Sequence, residues 1–146
     1  TDVIVGFPTE TDADFEETVE VVREVKFDSA FIFKYSERKN TIAYKNYPDD
    51  VPPEVKTDRI VRLFELQKEI TYRKNLEAIG RQVAVLVEGP SKKRPEEWMG
   101  RTDGNKIVVF PQVGVQAGEM VTVEITAATP HTLVGEVVEQ PVALAN

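Results

Sequence analysis

The hydrophobic repeat of this chain changes period at Gly80, and that change sets two kinds of packing on either side of it. Upstream, Asp2-Val3-Ile4-Val5-Gly6-Phe7 is a short β-branched run closed by Pro8, the pattern of a strand buried on both faces. Thr11-Asp12-Ala13-Asp14 has the form of a capping box, and Phe15, Val19, Val22 and Val25 then recur at helical spacing through about Lys26. After Asp28-Ser29, Ala30-Phe31-Ile32-Phe33-Lys34-Tyr35 reads as a second strand, so residues 2–35 make one βαβ unit with parallel strands. Two parallel strands and one helix leave a sheet face uncovered, and such strands belong to larger sheets or barrels. The unit is expected to be part of a longer array, or to receive strands from another subunit.

Residues 36–52 read as a polar loop, and Pro52-Pro53 suits the first turn of a helix. From there to about Ala78, Ile60, Leu63, Phe64, Gln67, Ile70 and Thr71 share one face, which makes a long amphipathic connecting helix. Beyond Gly80 the runs are short and β-rich: residues 82–88, 106–110, 120–125 and 133–138. Gly89-Pro90, Asp103-Gly104-Asn105, Gly118 and Thr129-Pro130 mark the turns between them. At least four strands in about 60 residues pack most naturally as a small closed barrel of OB-like character. The expected domains are residues 1–50, a connecting helix over 51–78, and a β-barrel over 79–142.

Composition removes several kinds of chemistry. The chain has no cysteine, hence no thiol nucleophile and no thiolate ligands for zinc or an iron-sulfur cluster, and its single histidine, His131, rules out two-histidine metal sites. No apolar run is long enough to span a bilayer and no leader precedes the first strand, so a soluble, cytoplasmic chain is expected. A net charge of −7 argues against wrapping nucleic acid by bulk electrostatics. Distribution matters more, because five of the six cations after Gly80 cluster at Lys92, Lys93, Arg94, Arg101 and Lys106.

Several motifs resemble one family. Asp2-Val3-Ile4-Val5-Gly6-Phe7-Pro8-Thr9-Glu10-Thr11 resembles the late-barrel motif D-I-I-V-G-F-P-G-E-T of radical-SAM methylthiotransferases, with Thr9 where the family has glycine. Phe31-Ile32-Phe33-Lys34-Tyr35-Ser36-Glu37-Arg38-Lys39-Asn40-Thr41-Ile42-Ala43 resembles F-x-F-x-Y-S-x-R-x-G-T-x-A, with Asn40 for glycine, a residue that tolerates positive φ well. Val87-Glu88-Gly89-Pro90-Ser91-Lys92-Lys93, Gly100-Arg101-Thr102, Val109-Phe110-Pro111 and residues 128–133 resemble a TRAM domain. The resemblance implies an α/β then all-β chain: the C-terminal βαβ portion of a radical-SAM partial TIM barrel, followed by a small OB-like TRAM β-barrel.

The same resemblance implies a tRNA methylthiotransferase that adds a methylthio group to C2 of N6-isopentenyladenosine next to the anticodon. Its partner would be tRNA, through the anticodon stem-loop, and no membrane. Its cofactors would be S-adenosylmethionine and two 4Fe-4S clusters, whose cysteine ligands this segment lacks, so no catalytic residue or metal ligand is expected here and the segment alone is expected to be inactive. A sister branch modifies an aspartate of ribosomal protein S12. A non-enzymatic RNA-binding adaptor, in which the βαβ unit is a dimerisation scaffold, is the alternative of a different class.

Gly6, Phe7, Pro8 and Glu10 follow a strand at its C-terminal end, where parallel-barrel enzymes place their sites, and can line the S-adenosylmethionine pocket. Equally, Glu10 can sit beside the helix N-terminus simply because the macrodipole favours an anion there. Ser36, Arg38 and Thr41 follow the second strand on the same rim, and a guanidinium there suits a carboxylate or phosphate; a solvated loop held by its own side chains is the plainer alternative. Phe31 and Phe33 alternate at strand spacing and are expected in the core, Tyr35 less strongly. Lys92, Lys93, Arg94, Trp98, Arg101 and Lys106 are the candidate RNA contacts, the first five, cations and a ring, read as a loop between strands and Lys106 at the start of the next strand. A charge run diluted by Glu96 and Glu97 can also be an ordinary solvated loop. His131 reads as a residue at a strand start.

Overall fold

A computed structural model describes residues 1–91, 96–112 and 114–139. The chain divides into two compact units, Thr1–Thr71 and Tyr72–Asn146.

In the first unit β1 (Asp2–Val5) and β2 (Phe31–Lys34) pair in parallel, with Val3 opposite Ile32 and Ile4 opposite Phe33, and α1 (Asp12–Val25) is the crossover. The capping box predicted from the sequence is present: Thr11 Oγ1 accepts from the Asp14 N–H while the Asp14 carboxylate accepts from the Thr11 N–H. Lys26 ends the helix in the left-handed region. Val5, Phe15, Val19, Val22, Ile32 and Leu63 form the core, so one face of the sheet is covered by α1 and by α3 (Pro53–Leu76).

The other face is open, and this corrects the expectation for Phe31 and Phe33. Phe31 is 69% exposed and Phe33 53%, with Ile4 beside them. Side chains alternate across a strand, so when Ile32 points to the helices its two neighbours point away, and among the described residues no second layer receives them.

Two further corrections concern residues 36–76. The polar segment contains a single-turn helix, α2 (Ile42–Asn46), because Thr41 Oγ1 caps it by accepting from the Tyr44 N–H. On α3 the buried face runs through Lys56, Arg59, Leu63 and Gln67, and Phe64 is exposed. One residue beyond Leu63, Phe64 lies about 100° further round the helix and off the face.

In the second unit β3 (Gln82–Pro90), β4 (Glu97–Arg101), β5 (Ile107–Pro111), β6 (Met120–Ala128) and β7 (Leu133–Glu139) close into a barrel of order β3-β4-β5-β7-β6, with β6 pairing back to β3. Only β5 and β7 are parallel among these pairs. Inward residues include Val85, Val87, Val108, Phe110, Val121, Val123, Ile125 and Leu133. This is the small closed barrel anticipated, with one strand more than the apolar runs marked. Sequence pattern alone makes β4 a loop, since Glu97, Gly100 and Arg101 interrupt any apolar run. Its two ladders, to β3 and to β5, make it a strand.

Gly100 and Gly135 show how tightly the barrel closes. A Cβ on Gly100 would overlap the Leu86 carbonyl oxygen and lie 2.6 Å from Val85 Cγ1; a Cβ on Gly135 would overlap the Glu124 carbonyl oxygen and lie 2.6 Å from Val123 Cγ1. Each glycine lets a strand cross its neighbour closer than any side chain permits.

Candidate functional site

The loop after β1 is built by hydrogen bonds aimed back at itself. Gly6 takes φ +70°, its N–H donates to Glu10 Oε1 at 3.0 Å, and the Glu10 N–H donates to the Phe7 carbonyl at 2.9 Å. Pro8 is fully buried, while Phe7 is half-exposed with its ring edge-on to Tyr35 at 5.1 Å between centroids. Thr9, at φ +71°, is held by its N–H donating to Asp50 Oδ1 at 2.7 Å.

Two cations on α3, one turn apart, hold this rim. Arg59 donates to Glu10 Oε1 at 2.7 Å and to Asp12 Oδ1 at 2.8 Å, and packs over the Phe15 ring. Lys56 ion-pairs with Asp49 at 2.5 Å, donates to the Tyr35 carbonyl at 3.4 Å, and its stem fills the space that a Cβ on Gly6 would need. Both are buried. Charges this deep in a small unit are paired because an unpaired one costs several kcal/mol. Glu10 is therefore engaged inside the protein, and the Arg59 Nε and Tyr35 hydroxyl are buried without a hydrogen-bond partner among the described residues. The sequence reading missed Lys56 and Arg59. The available signal was their spacing: they fall on the same helical face as Leu63 and Gln67, where a solvated cation has no place.

Ser36 and Arg38 lie exposed on the second loop. Thr41 Oγ1 donates to the Arg38 carbonyl at 2.8 Å as it caps α2, and Asn40 adopts φ +72°. The Arg38 guanidinium has no partner among the described residues, an arrangement open to a carboxylate or phosphate. The β1 and β2 loops share one rim, since the Tyr35 N–H donates to the Val5 carbonyl at 2.8 Å.

Nearby, the Asp14 carboxyl is held below its ordinary value by the Thr11 backbone N–H and then by the Thr11 hydroxyl. A cleft of about 360 Å³ opens beside β1 and α1, lined by Asp2, Val3, Asp14, Glu17 and Val22 among others, but by none of the candidate residues.

On the barrel, Lys92, Lys93 and Arg94 lie outside the described residues. Trp98 and Arg101 sit on β4, correcting their assignment to a loop. Trp98 stands opposite the buried Phe110 and packs against the barrel core, half-buried. Arg101 Nε donates to Glu88 at 2.9 Å and its Nη1 to Asn105 Oδ1 at 2.8 Å. Lys106 Nζ donates to Asn75 Oδ1 at 2.8 Å, a partner that no pattern along the chain marks out. His131 is exposed in the turn before β7.

The donor set does not fit an iron-sulfur cluster. No thiolate exists in the chain, and among the described residues no group of three or more His, Asp or Glu side chains converges as a metal site would. Among the same residues, no helix is long and apolar enough to cross a membrane.

Comparison with known proteins gives one family. Residues 77–138 match the TRAM domain family. Over 93% of its length the chain is 45% identical to the tRNA-2-methylthio-N(6)-dimethylallyladenosine synthase of Amoebophilus asiaticus, over 96% it is 46% identical to that of Porphyromonas gingivalis, and over 95% it is 47% identical to that of Moorella thermoacetica. The chain spans 28%, 30% and 31% of the length of these curated relatives.

Proposed function

We infer that this chain, 45–46% identical along 93–96% of its length to two tRNA-2-methylthio-N(6)-dimethylallyladenosine synthases, is the C-terminal part of a tRNA methylthiotransferase. The whole protein transfers a methylthio group to C2 of N6-isopentenyladenosine beside the anticodon, in the cytoplasm. The observation that carries this reading is the closed five-stranded barrel over the residues that match the TRAM family. Barrels of this strand order present a face and loops to oligonucleotides.

In this reading the βαβ unit is the end of a radical-SAM partial barrel, and the rim of Gly6, Phe7, Pro8, Glu10, Ser36, Arg38 and Thr41 faces the S-adenosylmethionine pocket. Arg38, exposed and without a partner among the described residues, would hold the ligand's carboxylate. Glu10 keeps the loop in shape through Gly6 and Arg59 and does not itself reach the ligand. S-adenosylmethionine and two 4Fe-4S clusters would supply the radical chemistry, and the clusters would be held by cysteines elsewhere in the parent, since this segment has none. Lys92, Lys93 and Arg94 would contact phosphates of the anticodon stem-loop, with Arg101 and Lys106 extending the cationic edge.

The experiment is a titration of this chain with a fluorescent anticodon stem-loop at several salt concentrations. Affinity should fall steeply with salt, and Lys92→Glu with Lys93→Glu should weaken binding about tenfold or more. Binding unchanged by the double charge reversal would refute the patch. For the enzymatic part, the full-length protein should restore the methylthio nucleoside in cells lacking it, read by mass spectrometry of tRNA digests; unmodified isopentenyladenosine would refute the assignment.

A further inference from the structure

Residues 36–48, with α2 at their centre, make a surface loop whose two ends are held by one ammonium. Lys56 Nζ donates to the Tyr35 carbonyl at 3.4 Å, just after β2, and ion-pairs with Asp49 at 2.5 Å at the loop's far end. Asp50, beside it, accepts the Thr9 N–H at 2.7 Å. Surface loops with their ends drawn together are frequent carriers of function.

Between these anchors the side chains face outward. α2 buries none of its side chains, Ile42 is 75% exposed, and Tyr44 and Tyr47 are 42% and 44% exposed. The backbone still has a defined shape. Thr41 Oγ1 accepts from the Tyr44 N–H at 3.2 Å, and the Tyr47 N–H closes the turn on the Ala43 carbonyl at 2.9 Å. The two tyrosines fall one turn apart and lie outside the core of this unit.

The charge of the loop is opposite to that of the chain. Arg38, Lys39 and Lys45 stand against one acid, Glu37, in a chain of net charge −7. Among the described residues, none of these four side chains has an ion-pair partner. Arg38 has a place in the reading above, whereas Lys39, Lys45, Tyr44 and Tyr47 have none. Free cations interleaved with exposed rings suit unpaired RNA, since the cations meet phosphates and a ring stacks on any base. An acidic protein surface would use the cations but not the ring faces.

We propose that this loop is a second RNA contact, carried by the first unit and separate from the barrel: Lys39 and Lys45 meet phosphates, and Tyr44 and Tyr47 stack on unpaired bases of the anticodon loop. The proposal rests on the tRNA reading above. The loop is shaped before RNA arrives, which lowers the ordering cost of binding.

The test is the titration of this chain with the anticodon stem-loop, read both as affinity and as the slope of log affinity against log salt. Lys39→Gln with Lys45→Gln should lower the slope by about 1.4, about 0.7 for each single-strand phosphate contact. Tyr44→Ala with Tyr47→Ala should weaken binding about tenfold or more at an unchanged slope, and Tyr44→Phe with Tyr47→Phe should bind like the unsubstituted chain. A duplex of the same stem without the unpaired loop should not distinguish the tyrosine variants. Melting temperatures should stay the same throughout, because α2 buries none of these side chains.

Folded lysine and tyrosine variants that keep full affinity and slope would overturn the proposal, leave the barrel's RNA contact standing, and point to a protein surface as the loop's partner. Losses that merely follow a lowered melting temperature would overturn it in favour of a structural role. Salt-independent or absent binding by the unsubstituted chain would overturn the tRNA reading, and this inference with it.

Discussion

Arg59 Nη1 donates to Glu10 Oε1 at 2.7 Å, and the same carboxylate oxygen accepts the Gly6 N–H at 3.0 Å. One buried guanidinium on α3 thereby fixes the turn by which β1 enters α1. Removing it leaves Glu10 in a site that is 12% exposed with its charge uncompensated. Arg59→Met is expected to cost about 3 kcal/mol, and Glu10→Gln, which still accepts from Gly6, about 1 kcal/mol. Urea denaturation followed by circular dichroism measures both. Equal losses would mean that the pair acts as a unit and that the amide cannot stand in for the carboxylate.

Thr9 occupies the left-handed region at φ +71°, where a β-branched side chain crowds its own backbone. Its N–H bond to Asp50 holds it there. Thr9→Gly keeps that bond and removes the crowding, so it should stabilise the first unit by about 1 kcal/mol. A lower melting temperature for the glycine variant would show that the strain is offset by a contact of the threonine side chain.

The barrel predicts the opposite response to added methyl groups. Gly100→Ala and Gly135→Ala each push a Cβ into a neighbouring carbonyl, and each should lose about 1–3 kcal/mol or more. Gly104→Ala is the control, for its nearest neighbour would be Thr102 Oγ1 at 3.7 Å, and its effect should stay within about 0.5 kcal/mol. Thermal melts of the three variants separate closure of the barrel from a general cost of replacing glycine.

The Asp14 carboxyl titrates lower in the folded chain than its ordinary value of 3.8, because the Thr11 N–H and hydroxyl bind its charged form. A depressed carboxylate stabilises the fold fully above the unfolded value and loses that contribution as pH falls through the folded one. The unsubstituted chain should therefore be more stable than Asp14→Asn from neutrality down to about pH 4, with the difference shrinking as pH falls below 3.8. A difference that persists undiminished at pH 2 would mean that packing, and not charge, is what the substitution disturbs. Thr11→Ala removes the other half of the box and should cost about 1 kcal/mol.

Local chemistry in the sequence determined a great deal about this protein. The capping box at Thr11, the proline start of α3, the βαβ order and four of the five barrel strands follow from periodicities of 3.6 and 2 and from turn residues. The family motifs were likewise legible, since they are strings of residues. Tertiary structure alone decided the rest, for reasons of register and partnership. β4 is a strand because β3 and β5 flank it, although its own residues alternate poorly. Phe31 and Phe33 are exposed because Ile32 took the face that α1 and α3 cover, a choice that the alternation permits in either sense. Arg59 and Asn75 became central because their partners, Glu10, Thr129 and Lys106, arrive from distant positions in the chain, while Lys56 meets Asp49 from the loop just before α3. A polar residue on a helix carries no mark of what will meet it, and only folding brings that partner within hydrogen-bond reach.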